Sequence, residues 1–122
     1  MAKKILIIED DKFLRELIAQ KLTKSGFDTT EAANGEDGLK AVKEEKPNMI
    51  LLDLVLPGIS GFDFLAQIKE DPISAEIPVI VLSNLSHKDD IEKALKIGAI
   101  DYLVKAHRTP DEIIEKIESA LK

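Results

Sequence analysis

The residues best placed to do chemistry in this chain are acids, a hydroxyl and a lysine, each at the end of an apolar run. Met49-Ile50-Leu51-Leu52 leads into Asp53, Ile5 to Ile8 into Glu9, Asp10 and Asp11, Val79 to Leu82 into Ser83, and Tyr102-Leu103-Val104 into Lys105. Burying an ionised carboxylate is expensive unless it opens to water or meets a cation. Glu9, Asp10 and Asp53 with the Lys105 ammonium carry a local charge of about −2, and like charges brought close repel strongly. A divalent cation removes that strain. Oxygen donors with no nearby His and no Cys suit Mg²⁺, which takes one or two carboxylates, keeps several waters and binds a phosphate oxygen. Lys105 suits a phosphate as a point charge, and Ser83 has a hydroxyl hydrogen to donate. Together these groups describe a site that stabilises a transferring phosphoryl group. With no Ser-His or Cys-His pairing in view, the available nucleophile is Asp53, whose attack would give an acyl phosphate.

The elements that must position these residues follow from hydrophobic periodicity. Ile5–Ile8 and Val79–Leu82 read as buried strands, and so does the longer run that begins at Met49, bounded by Pro47-Asn48 and Pro57-Gly58. Phe27 to Ala32 alternates weakly and reads as an edge strand; Ala99 to Val104 is the last strand. Phe13, Leu14, Leu17, Ile18 and Leu22 recur at helical spacing until Ser25-Gly26, with Asp11 as an acid at the helix start. Asn34 caps a second helix with Leu39 and Val42 facing inward. Ser60 with Asp63 has capping-box form, and Ser86 with Asp89 repeats it ahead of a helix carrying Ile91, Leu95 and Ile97. Thr109-Pro110-Asp111-Glu112 is the strongest helix start in the chain. Phe13, Phe27, Phe62 and Phe64 are expected in or near the core.

Strand and helix thus alternate five times, which predicts an α/β fold: a doubly wound, five-stranded parallel sheet with helices on both faces. Every strand of such a sheet ends at one edge, where ligands bind at the point of strand-order reversal. Neighbouring strands lie about 4.8 Å apart. If the first and third are neighbours, Asp10 and Asp53 nearly touch.

A length of 122 residues predicts one domain over 1–122 with a core of its own. The net charge of −6 argues against a non-specific nucleic-acid surface or an anionic membrane surface. Cysteine is absent, which removes disulfides, Cys-ligated zinc and thiol catalysis and suits a reducing cytoplasm. Lys3-Lys4 precedes an apolar run, but Glu9-Asp10-Asp11 ends it too soon for a signal segment or a membrane span.

Four motifs in order, Ile-Ile-Glu9-Asp10-Asp11, Leu-Leu-Asp53-Leu-Val-Leu-Pro57-Gly58, Val-Ile-Val-Leu-Ser83 and Tyr102-Leu-Val-Lys105, resemble the receiver domain of two-component response regulators along the whole chain. The resemblance implies the flavodoxin-like strand order 2-1-3-4-5. It implies that Asp53 accepts phosphate from a phosphohistidine on a sensor histidine kinase or a histidine phosphotransfer protein. Mg²⁺ would be held by Asp10, Asp53 and the main-chain carbonyl of Val55, with Glu9 assisting. Lys105 would pair with the phosphoryl group and Ser83 would hydrogen-bond it. Tyr102 matches a switch aromatic that turns inward with Ser83 and shifts the surface of the fourth helix, fifth strand and fifth helix, where an output partner would bind. The molecule would be a monomer or a phosphorylation-dependent dimer, with slow self-dephosphorylation rather than enzymatic turnover. Several positions depart from the family pattern. Ala106 stands where Pro is common, Asn84 where a small residue is usual, and Val55 with Leu85 makes an apolar rim expected to slow attacking water.

Other functions remain in play. An aspartate-nucleophile phosphatase would carry a second acid two residues after Asp53, where this chain has Val55. A flavin carrier would want a Ser/Thr/Gly-rich loop after the first strand, where Glu9-Asp10-Asp11 would repel a phosphate. A degenerate receiver would lack part of the acid, hydroxyl and lysine set. With no effector after Lys122, a relay intermediate, a stand-alone receiver and the excised receiver of a longer regulator are all consistent with the residues.

Overall fold

The computed structural model describes residues 2–122. Five strands, β1 (Lys4–Ile8), β2 (Asp28–Ala32), β3 (Met49–Leu52), β4 (Val79–Ser83) and β5 (Asp101–Val104), form one parallel sheet in the order β2-β1-β3-β4-β5. The helices α1 (Lys12–Lys24), α2 (Gly35–Glu45), α3 (Gly61–Glu70), α4 (Lys88–Ile97) and α5 (Pro110–Ala120) alternate with them, and a short 3₁₀ turn spans Lys105–His107. The expected doubly wound architecture is present, with β2 at an edge.

Alternation along the strands divides the core in two, because successive side chains leave a strand on opposite faces. Leu6, Ile8, Ile50, Leu52, Val79 and Val81 pack with Val42 of α2, Phe64, Leu65 and Ile68 of α3, and Ala94 of α4. Ile5, Ile7, Met49, Leu51, Ile80, Leu82 and Leu103 pack with Ile18 and Leu22 of α1 and Ile113, Ile114 and Ile117 of α5. Both faces of β1, β3 and β4 are therefore covered, which is why their sequences are apolar without a break. Each fully buried Leu, Ile or Phe contributes about 1.5–3 kcal/mol.

The helix ends follow the side chains. Asp11, Asn34, Ser60 and Thr109 each accept a hydrogen bond from the backbone N–H three residues on, and Thr109 with Glu112 completes a reciprocal capping box. Four expectations need correction. Ser86 caps nothing: α4 starts from His87, whose side chain makes no capping bond. Phe13 is 78% exposed rather than core, because it projects from the first turn of α1 where no other element covers it. Leu95 also faces water, and Ala94 is the fully buried residue of α4. Finally, the apolar run from Met49 leaves the sheet after Leu52, so Leu54–Leu56 belong to a loop rather than a strand.

That early exit is built into the backbone. Asp53 N–H still donates to the Ile8 carbonyl, the last rung between β1 and β3, but Leu54 carbonyl accepts from Gly61 N–H at the start of α3. A Cβ at Gly61 would sit 2.5 Å from the Asp53 carbonyl oxygen and overlap Leu54 Cα, so only glycine lets α3 approach this closely. No helix among the described residues is long and apolar enough to cross a membrane.

Candidate functional site

Parallel register brings the strand-end residues together. Ile8 pairs with Ala32 on one side and Leu52 on the other, so Glu9 and Asp53 are each one step beyond the same rung. Ser83 pairs with Val104, and Lys105 follows at once. Three of these strand ends share one local device. Glu9 Oε2 accepts from Asp11 N–H at 3.1 Å, Asp53 Oδ1 from Val55 N–H at 3.1 Å, and Ser83 Oγ from Leu85 N–H at 3.2 Å. A short polar side chain that bonds the backbone two residues on turns the chain out of the sheet while holding its own orientation.

One carboxylate oxygen from each of Glu9, Asp10 and Asp53 lies within 4.8 Å of the other two. Glu9 and Asp53 are only 2% and 5% exposed, whereas Asp10 is open to solvent. Lys105 Nζ reaches over both buried acids, 2.6 Å from Glu9 Oε1 and 2.8 Å from Asp53 Oδ2. Its bond to Asp53 is a well-formed hydrogen bond. The contact with Glu9 is charge proximity alone, and it leaves the buried Oε1 without a hydrogen-bond partner. The strand-end pattern placed Glu9 and Lys105 at one rim, but nothing in the spacing revealed that they touch.

Burial pushes the Glu9 carboxyl up to about 7; the Lys105 ammonium and the Asp11 N–H pull it down, while the Asp53 charge raises it further. Lys105 is likewise buried, which lowers an ammonium, yet its hydrogen bond to Asp53 and the adjacent Asp53 and Glu9 carboxylates outweigh that and hold it above its ordinary value. The donor set fits a hard divalent ion such as Mg²⁺: three carboxylate oxygens in reach of one point, no nitrogen or sulfur among them, and one buried oxygen short of a partner.

On the far side of the pocket Ser83 is fully buried. Tyr102 is half-buried and its hydroxyl donates to the Leu85 carbonyl at 2.6 Å. Burial raises the Tyr102 phenol, the neighbouring Ser83 hydroxyl pulls it the other way, and Asp90 and Asp53 add to the rise. The aromatic expected to turn inward thus already bonds the backbone two residues beyond Ser83. Val55 is 56% exposed and Leu85 half-buried, consistent with an apolar rim. Asn84 is exposed to solvent. Ala106 lies within the 3₁₀ turn, and no cis peptide bond occurs among the described residues.

Two charged residues that the motifs did not single out brace the same loops. Arg15 of α1 donates from Nη1 to the Glu9 carbonyl at 2.8 Å and lies 3.1 Å from Glu31 of β2 through Nε. Glu36 of α2 accepts from Ile59 N–H at 3.3 Å in the loop after Asp53. Neither was visible in the sequence, because each contact joins separate elements.

Residues 5–118 match the family profile of the response regulator receiver domain. The chain is 34% identical over its whole length to the phosphate regulon transcriptional regulatory protein PhoB of Pseudomonas aeruginosa, covering 53% of that protein. It is 40% identical over 101 residues to the transcriptional regulatory protein AfsQ1 of Streptomyces coelicolor, a match covering 83% of this chain and 44% of the other. The chain spans about half the length of the curated relatives it matches. Among solved structures, a CheY-like response regulator receiver domain protein from Methanospirillum hungatei superposes with a TM-score of 0.92 at 26% identity, covering 99% of this chain and 94% of that one. The receiver domain of Francisella response regulator 1452 gives 0.88 at 31% identity, covering 96% and 94%. With its sheet order and its strand-end residues alike, the chain belongs to the response regulator receiver domain family of two-component signalling.

Proposed function

We propose that the chain is a phosphoryl-accepting switch in which Asp53 is the acceptor. The carrying observation is the convergence of Asp53, Glu9, Asp10 and Lys105 on one point, with Lys105 Nζ 2.8 Å from Asp53 Oδ2. Asp53 attacks the phosphorus of a phosphohistidine on a sensor histidine kinase or a histidine phosphotransfer protein; an O–P bond forms and the P–N bond breaks, leaving the electron pair on the imidazole. Val55 N–H and Lys105 hold the two carboxylate oxygens, so the nucleophile is oriented before the donor arrives.

Glu9, Asp10, Asp53 and the Val55 carbonyl would hold Mg²⁺. When bound, it neutralises charge on the phosphoryl oxygens. Lys105 pairs with a phosphoryl oxygen, which offers the ammonium a further acceptor beside its two acids. Ser83, one strand over, donates its hydroxyl to another oxygen. Doing so redirects the hydrogen of a residue whose oxygen anchors Leu85 N–H, and Leu85 carbonyl is the partner of Tyr102. Phosphorylation is thereby communicated to α4, β5 and α5, the surface for an output partner. The reading places the chain in the cytoplasm, as a monomer or phosphorylation-dependent dimer, with no nucleic-acid or membrane contact of its own and no turnover beyond slow self-dephosphorylation.

Intact mass after acetyl phosphate with Mg²⁺ tests this directly. The wild type gains one phosphoryl group and Asp53→Asn none; a phosphorylated Asp53→Asn, or a wild type that stays unmodified with both acetyl phosphate and a phosphohistidine donor, overturns it.

A further inference from the structure

Asp10 sits between two fixed neighbours. Glu9 N–H donates to the Ala32 carbonyl and so belongs to the sheet, while Asp11 caps α1 by accepting from Leu14 N–H. What remains adjustable is the Glu9–Asp10 peptide. That unit is planar, so a donor fixed on the Glu9 carbonyl also fixes the direction in which Asp10 leaves the chain. Arg15 is that donor, at 2.8 Å, with its side chain 14% exposed. Glu31, on the edge strand, holds the same guanidinium at 3.1 Å through Nε.

We infer that Arg15 is a positioning residue for the divalent cation, orienting the Glu9–Asp10 peptide so that both acids can share an ion with Asp53, and that Glu31 positions Arg15 in turn. The inference rests on the proposed Mg²⁺ site. Charge alone argues the other way. A guanidinium this close to the acids repels a second cation, so its removal should tighten metal binding if Coulomb forces were all that mattered. Partners that orient metal ligands are instead worth about 10- to 100-fold in affinity when lost. The two accounts therefore predict opposite signs.

The test is Mn²⁺ binding to the full chain by EPR, at fixed pH and salt and at a temperature where circular dichroism shows every variant folded. Arg15→Met keeps the apolar stem and is expected to weaken Mn²⁺ binding about tenfold. Arg15→Lys, which can still donate to the Glu9 carbonyl, recovers part of the loss. Glu31→Gln weakens binding less, and combining it with Arg15→Met adds nothing further, because both act on one carbonyl. Affinity in Arg15→Met that is unchanged or tighter overturns the inference. Strictly additive losses in the double variant overturn the role of Glu31. A wild type that binds no Mn²⁺ overturns the metal site itself, and with it this inference.

Discussion

Helices α3 and α4 pack beside each other on one face of the sheet, and they are held very differently. α3 starts from a Ser60 cap, buries Gly61, Phe64, Leu65 and Ile68, and presses Gly61 against the Asp53 carbonyl. α4 starts from His87 with no capping bond, buries only Ala94 in full, and leaves Leu95 44% exposed. It leans on α3 partly through the Lys93 ammonium, 4.4 Å from the centre of the Phe62 ring. The helix that follows the acid-bearing strand is thus locked, while the helix that follows Ser83 is the cheaper one to displace. Local opening free energies track buried apolar contact in this way. The proposed switch would need that inequality: rigid geometry at the acceptor, and a lightly held element beside it.

The comparison breaks most visibly by truncating each helix in its own packing. Phe64→Ala is expected to cost about 3–5 kcal/mol, and Leu95→Ala to stay within about 0.5 kcal/mol of wild type, by urea unfolding. Equal costs would mean that the two helices are equally anchored.

A somewhat smaller effect belongs to the acid pocket, the rigid side of the contrast. Glu9 titrates near 7 in the fold against 4.5 for an ordinary glutamate, so the folded state holds its proton where the unfolded state has lost it. Its stabilising contribution is complete below about pH 4.5 and is lost as pH rises through 7, by at most about 3 kcal/mol. With EDTA present, the wild type should lose stability across that window and Glu9→Gln should not. Lys105 titrates well above the window, and the depressed Glu112, held down by the Thr109 N–H, loses its contribution only as pH falls below it. A wild-type profile parallel to that of Glu9→Gln would contradict the burial of Glu9.

How far the residues themselves disclose this asymmetry depends on where the controlling forces act. The sheet was legible because β1, β3 and β4 are covered on both faces, and covered strands must be apolar throughout. The strand-end acids, Ser83 and Lys105 were legible because polar residues closing apolar runs stand out. Phe13 misled because helical spacing says which residues share a face, not whether anything covers that face. The run after Leu52 misled because a close approach by Gly61, nine residues beyond Leu52, ends the strand, and periodicity carries no trace of it. Arg15, Glu31 and Glu36 were invisible for the same reason: their partners are set by register and packing between elements.

Tyr102 connects the two sides. Removing its hydroxyl deletes the 2.6 Å bond to the Leu85 carbonyl but leaves the ring packed against the α3–α4 side of the core. Tyr102→Phe should cost about 1 kcal/mol, read as amide exchange about fivefold faster at the start of α4 and unchanged exchange in α3. Faster exchange in both helices would show that the tyrosine braces the whole face rather than the loose half.

The smallest change should tighten that half. His87 stands at the N-cap of α4 and contributes no bond, whereas the caps of α1, α2, α3 and α5 each engage the N–H three residues on. His87→Ser would offer its hydroxyl to Asp90 N–H. Serine is preferable to aspartate here because Asp89 and Asp90 already supply the negative charge that a helix start favours, and a third acid would repel them. The expected gain is about 0.5–1 kcal/mol, seen as slower amide exchange through the first turn of α4. If phosphorylation of Asp53 displaces α4, the better-capped helix should also answer more weakly, with smaller amide shift changes on acetyl phosphate treatment. Slower exchange with an undiminished response would separate the anchoring of α4 from the switch.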